Sequence, residues 1–202
     1  MIILALDTTG PHCSASLVTE EDVLAHMSEN IGRGHAERLG PMVEELFGDA
    51  GLSAAEIDCI AVCTGPGSFT GLRVALAFAK GFALPNNLPV IGVDALQIMA
   101  EAIRRERDDH LIGVMRDVRR GQVFAALYRH GLPLDPPRAM TQAEAETMVD
   151  EAQAVLYEAE GVDTRILGLM SAQLSAKNYP AVALYARAPD AKLPGGKVLY
   201  AG

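Results

Sequence analysis

Nine residues, Gly65 to Arg73 (GPGSFTGLR), constrain the fold of this chain more than any other stretch. They follow an apolar run, Ile57 to Cys63, that reads as a buried strand, and they open a helix expected over Thr70 to Leu84. A strand, a glycine-rich turn and a helix start gather backbone N–H groups at the positive end of a helix dipole. Two uses are open. The loop is either a cradle for an anion or a tight strand-to-helix crossing with Thr70 as the helix N-cap. It is not a P-loop, because no Lys-Ser/Thr pair follows and Lys80 lies inside the helix. Ser68 lacks the frame of a nucleophile elbow, so a serine hydrolase is unsupported.

The helix over 70–84 is apolar on nearly every side. Gly71, Val74, Ala75, Phe78 and Phe82 share one face, Leu72, Leu76, Ala79 and Ala83 the next, and only Arg73 and Lys80 mark a polar strip. A helix lying on a sheet needs one apolar stripe. This one has enough for a second contact, either with an expected helix over His35 to Ala50 or with a partner chain. That earlier helix places His35, Leu39, Met42, Val43 and Leu46 on one side, with Glu37 and Glu44 opposite and Pro41 inside. His35 has no second ligand or base partner near it in sequence, which favours a surface or interface role.

The order before residue 105 is three strands (2–7, 14–19, 23–30), helix 35–50, strand 57–63, helix 70–84, strand 89–93 and helix 95–105. The charged run Arg104 to Asp109 marks a boundary between two units, 1–105 and 106–202. The second unit reads as strand 111–116, hairpin partner 121–129, a proline loop, helix 141–150 with a Thr141/Glu144 capping box, a short strand 154–157 and a helix over 166–176. An offset of 110 residues superposes Asp7, Ala15 and Leu17 on Asp117, Ala125 and Leu127, so each unit begins with a hairpin whose first strand ends in Asp.

Half the residues are hydrophobic, aromatics are 5% and Trp is absent, so small aliphatic side chains do the packing. A net charge of −9 argues against this chain gripping nucleic acid by itself. Cys13, Cys59 and Cys63 are an odd set. The last two, four apart on a strand, sit about 13 Å from one another, beyond disulfide reach. The start meets Asp7 at once, and no apolar run approaches the roughly 18 residues that span a bilayer. A cytoplasmic chain without a membrane segment is the expectation.

Asp7, with Thr8 and Thr9 after it, ends a buried strand. Such an aspartate either bonds its own turn or faces phosphates and holds Mg²⁺ through water. The second option makes an ATPase or small-molecule kinase out of Asp7 and the loop residues Gly65, Gly67, Ser68, Thr70 and Gly71.

These residues resemble a known family. The matches are Ile3 to Thr9, His35-Ala36-Glu37-Arg38-Leu39 with Pro41, Ile60 to Val62 followed by Thr64 to Arg73, Pro89 to Val93, Asp117 with Arg119, Gly121 and Val123, and the tail Tyr185 to Ala191. Together they are similar to the bacterial TsaB (YeaZ) family, closely over 1–130 and loosely over 131–180. The resemblance implies an α/β fold of the actin-like ATPase (ASKHA) superfamily, with two RNase H-like βββαβα halves, the second reduced. It implies a non-catalytic subunit that works with the catalytic TsaD and the ATPase TsaE in placing threonylcarbamoyl on a tRNA adenosine beside the anticodon. Contact with TsaD, or with a second copy when alone, is implied through helices 35–50 and 70–84. The partner-binding candidates are therefore His35, Leu39, Met42, Val43, Leu46, Gly71, Val74, Ala75, Phe78 and Phe82. Asp7, Thr8, Thr9, Gly65, Gly67, Ser68 and Thr70 form a vestigial nucleotide loop. No metal or cofactor is expected on this chain, with ATP or ADP and Mg²⁺ held by partner subunits. tRNA is met only through the complex.

Overall fold

The protein was analysed as a computed structural model that describes residues 1–107, 111–118, 121–158 and 161–185. The first sheet has the order β3-β2-β1-β4-β5. Its strands are β1 (Ile3–Asp7), β2 (His12–Val18), β3 (Val23–Asn30), β4 (Cys59–Cys63) and β5 (Val90–Val93). β1, β4 and β5 run parallel, while β2 and β3 join as antiparallel hairpins. β1 and β4 are buried at every position, as parallel strands covered on both faces must be.

Alternation sorts their side chains. Leu4, Leu6, Ile60 and Val62 face α1 (His35–Ala50) and α2 (Phe69–Ala83). Ile3, Ala5, Cys59, Ala61 and Cys63 face the opposite layer. That layer holds α3 (Ala95–Glu106) and a helix contributed from far along the chain.

The second sheet repeats the plan. Its strands are β6 (Leu111–Asp117), β7 (Gln122–Arg129), β8 (Leu132–Pro133), β9 (Arg138–Thr141) and β10 (Val155–Glu158), with α4 (Gln142–Glu151) between the last two. The path β9-β7-β6-β10 matches β3-β2-β1-β4 in order and direction. Among the described residues this sheet has no counterpart of β5, so the second half is the reduced one. The hairpins differ slightly: Asp7 pairs with Ser14 across seven positions, Asp117 with Val123 across six.

The two halves exchange helices. α3 presents Leu96 and Ala100 to Ile112, Val114 and Tyr128 of the second sheet and Ala95 and Ile98 to the first. α5 (Thr164–Ser171) returns to the first sheet, where Leu167 is fully buried. A Cβ on Gly168 would lie 2.6 Å from Val18 Cγ2, so glycine there sets how closely α5 approaches β2. The chain then runs along the first sheet, pairing Pro180 with Ile91 and placing the Leu184 N–H on Thr64 O at 2.7 Å.

Local expectations hold with a few shifts: β2 spans His12–Val18 rather than 14–19, and Leu132–Pro133 and Arg138–Thr141 pair as strands around the expected proline loop. Ser68, not Thr70, caps α2: its Oγ accepts from Gly71 N at 3.3 Å, because Ser68 is the last extended residue and the helix starts at Phe69. β4 begins at Cys59 because Ala54–Glu56 forms a one-turn 3₁₀ helix held by a Ser53/Glu56 capping box. α5 begins at Thr164, capped by Asp163, and ends at Ser171. The Thr141/Glu144 box on α4 is present. Arg119, the end of the charged run and the tail from Ala186 lie outside the described residues.

Asp94 caps α3, its Oδ1 accepting from Gln97 N at 2.9 Å and lying 3.5 Å from the Tyr128 hydroxyl. Burial pushes this carboxyl up to about 6. Because the folded value exceeds the unfolded one, its stabilising share is full below about pH 4 and is lost as pH rises through about 6. The loss reaches up to about 3 kcal/mol. Asp94→Asn keeps a capping oxygen and removes the ionisation. Thermal melts from pH 4 to 8 should show the variant gaining on the parent as pH rises. A constant difference across that range would show that Asp94 does not titrate there.

Candidate interaction groove and inter-half cleft

Ten side chains on α1 and α2 were expected to face a partner. Within this chain, Leu39, Met42, Val43, Leu46 and Ala75 are at most 3% exposed and pack on the first sheet. Met42, Val43, Leu46 and Ala75 have no surface to offer in this conformation, and Leu39 only closes the base of the groove between α1 and α2. Gly71 is buried as well, pressed on the Thr8 carbonyl. The expected face of α2 therefore splits. Val74, Phe78 and Phe82 are half-buried, and Phe82 stacks on Phe47 and Phe78 with ring centroids 6.1 Å away in each case. His35 is half-buried, and its Nε2 is enclosed with no hydrogen-bond partner among the described residues.

The surface left open is a groove of about 460 Å³ between α1 and α2. Ala36 and Leu39 form one wall, and Phe69, Arg73, Val74, Ala77 and Phe78 the other. At its end Phe69 is 40% exposed. The Arg73 guanidinium lies 3.7 Å from the centre of that ring, and Tyr185 packs on it at 5.3 Å between centroids. An apolar trough rimmed by aromatic rings and one arginine has the composition of an interface core. Ala36 on α1 was missed as a wall residue, and so were Phe69, Thr70, Arg73 and Ala77 on α2. Their signal was the i, i+4, i+8 row Phe69, Arg73, Ala77 running beside Val74 and Phe78.

The glycine loop and the Asp7 turn meet on the other side of α2. Thr8 Oγ1 donates to Gly71 O at 2.7 Å, and Ser68 N donates to Thr9 O at 2.7 Å. A Cβ on Gly67 or Gly71 would collide with the Thr9 or Thr8 carbonyl oxygen. These glycines exist so that two backbones can touch. Asp7 is 2% exposed, and its Oδ1 accepts from Thr9 N at 3.0 Å. Burial raises its pKa, while the Thr9 bonds and the Arg116 charge pull the other way. Burial likewise drives the Cys63 thiol well up and the Cys13 and Cys59 thiols to about 11, so none is a ready nucleophile.

Arg116 comes from β6 in the second half and is 8% exposed. Its Nη1 donates to Pro66 O at 2.9 Å and lies 3.5 Å from Thr9 Oγ1. Sequence reading passed over it, although the 110-residue offset sets it opposite Leu6, a charge where the repeat has an apolar residue.

A Mg-nucleotide, which the fold class implies, would need Asp7 and the loop N–H groups turned to an open cleft. Here the Ser68 and Gly71 N–H groups are spent inside the chain, and the Arg116 guanidinium lies against Thr9 and Pro66 at the Asp7 turn. The residues present do not fit that group. Among the described residues no three His, Cys, Asp or Glu side chains gather to hold a metal ion. No described helix is long and apolar enough to cross a membrane.

Two RNase H-like sheets, each opening on a hairpin whose first strand ends in Asp, and joined through shared helices, make the actin-like ATPase superfamily fold. A family profile described as TsaD, tRNA N6-adenosine threonylcarbamoyltransferase, matches residues 23–186. The TsaB protein of Escherichia coli K12 is 39% identical over 129 residues, 64% of this chain and 55% of that one. TsaB of Bacillus subtilis 168 is 34% identical over 130 residues, 64% of this chain and 56% of that one. An uncharacterised Mycobacterium tuberculosis H37Rv protein is 33% identical across 94% of this chain and 93% of its own length. The solved structure of YeaZ from Pseudomonas aeruginosa superposes with a TM-score of 0.70 at 26% identity, covering 91% of this chain and 99% of that one. The chain belongs to the TsaB (YeaZ) family. Its match spans a little over half the length of these TsaB relatives.

Proposed function

We propose that this chain is a non-catalytic subunit in the formation of tRNA threonylcarbamoyladenosine. Its task is to bind and stabilise a TsaD-type catalytic subunit, together with a TsaE-type ATPase. The observation that carries this reading is the open groove between α1 and α2, rimmed by Phe69, Arg73, Val74 and Phe78. The same face serves for self-association when the chain is alone. Support for the pathway comes from the TsaB relatives, whose name is tRNA threonylcarbamoyladenosine biosynthesis protein. The net charge of −9 fits a subunit that meets tRNA through its partners, and a cytoplasmic setting follows from the pathway.

The alternative, an ATPase or kinase built on Asp7 and the glycine loop, is disfavoured by the Ser68–Thr9 and Thr8–Gly71 bonds and by Arg116.

Reconstitution tests the reading. With this chain, TsaD and TsaE purified, tRNA modification should need all three and disappear when this one is omitted. Phe78→Asp, checked for folding by circular dichroism, should lower TsaD capture at least about tenfold, the scale of a groove-centre residue. Undiminished capture by a folded Phe78→Asp protein would remove the groove from the interface.

A further inference from the structure

The buried junction between the halves contains a charge arrangement that docking through the groove neither uses nor explains. Asp7 ends the first strand of the first half and Arg116 nearly ends the first strand of the second. Both are nine-tenths buried or more. A lone carboxylate or guanidinium in such a place costs several kcal/mol, and each is tolerable only with opposite charge and hydrogen bonds close by. The guanidinium touches both loops that line the junction. It bonds Pro66 O at 2.9 Å, reaches Thr9 Oγ1 at 3.5 Å, and places Nη2 3.4 Å from where a Gly10 Cβ would stand. Thr9 in turn donates its N–H to Asp7. In this fold class the same position, between the terminal Asp and the facing loop, is where a metal ion and phosphates would sit.

We propose that Arg116 is the resident cation of this junction. It stands in for a bound metal ion at the Asp7 turn, which it reaches through Thr9, and through Pro66 it ties the second half to the loop that launches α2. The chain is thereby held closed without ligand, and the geometry of α2 depends on a residue from the opposite half. This inference stands independently of the docking reading.

The test is a double-mutant cycle on the full chain, with thermal unfolding measured with and without Mg²⁺. Arg116→Met strands a buried carboxylate and should lower Tm by about 10 °C or more. Asp7→Asn should cost less, because asparagine still accepts from Thr9 N. Adding Asp7→Asn to Arg116→Met should recover most of the loss, since the two groups compensate each other. Strictly additive losses would overturn the pairing. A double variant that fails to fold while Asp7→Asn folds would also overturn it, because Arg116 would then act only through Pro66. Mg²⁺ should leave the parent Tm unchanged. A Mg²⁺-dependent rise in the parent that Asp7→Asn abolishes would show a metal on Asp7 beside Arg116 and would sink the replacement idea.

Discussion

Gly71→Ala should be the most damaging single methyl in this protein. Its Cβ would occupy the position of the Thr8 carbonyl oxygen, with the Thr8 carbonyl carbon only 2.9 Å away. No side-chain rotation relieves a collision between two backbones, so α2 must lift off β1. That movement breaks the Thr8 Oγ1 bond to Gly71 O and disturbs Leu72, Ala75 and Ala79 in the core beneath. A loss upward of about 4 kcal/mol is expected, at the far end of the range for point mutations. Gly81→Ala on the same helix is the control. Gly81 is exposed and a Cβ there meets nothing within 4 Å, so alanine should stabilise by about 0.5–1 kcal/mol. Chemical denaturation of both variants checks the pair. A Gly71→Ala protein as stable as the parent would mean that the two loops do not touch.

Leu46→Ala should separate packing from docking. Leu46 is fully buried between α1 and the first sheet. Its truncation leaves a cavity worth about 2–5 kcal/mol, a fall in Tm of roughly 6–15 °C for a chain of this size. Partner affinity of the folded protein should stay within about twofold, because Leu46 reaches no surface. Phe78→Asp is the converse case. If Leu46→Ala abolished capture at temperatures where the variant is folded, α1 would be contacting the partner with the residues it now turns inward.

Several features were legible along the chain because they are local. The alternation in β1 and β4, the box at Thr141 and Glu144, and the matching Asp7 and Asp117 hairpins each depend on a few neighbouring residues. Helix faces were legible only as apolar. Periodicity places Leu46 and Phe78 on greasy stripes with equal force, because hydrophobicity carries no address. The sheet consumed Leu39, Met42, Val43 and Leu46, and left Val74 and Phe78 partly uncovered.

By itself, then, the chain's order of residues determined two related α/β halves, a glycine loop between β4 and α2, and an excess of apolar surface on α2. Only the tertiary structure decided which apolar residues remain outside, that Gly67 and Gly71 serve a contact between loops, and that Arg116 crosses to Thr9 and Pro66. The physical reason is separation: Thr9 and Arg116 lie 107 positions apart, Thr8 and Gly71 63 apart. Close approach at such distances arises from packing two sheets and their shared helices, a property of the folded whole that no window of sequence contains.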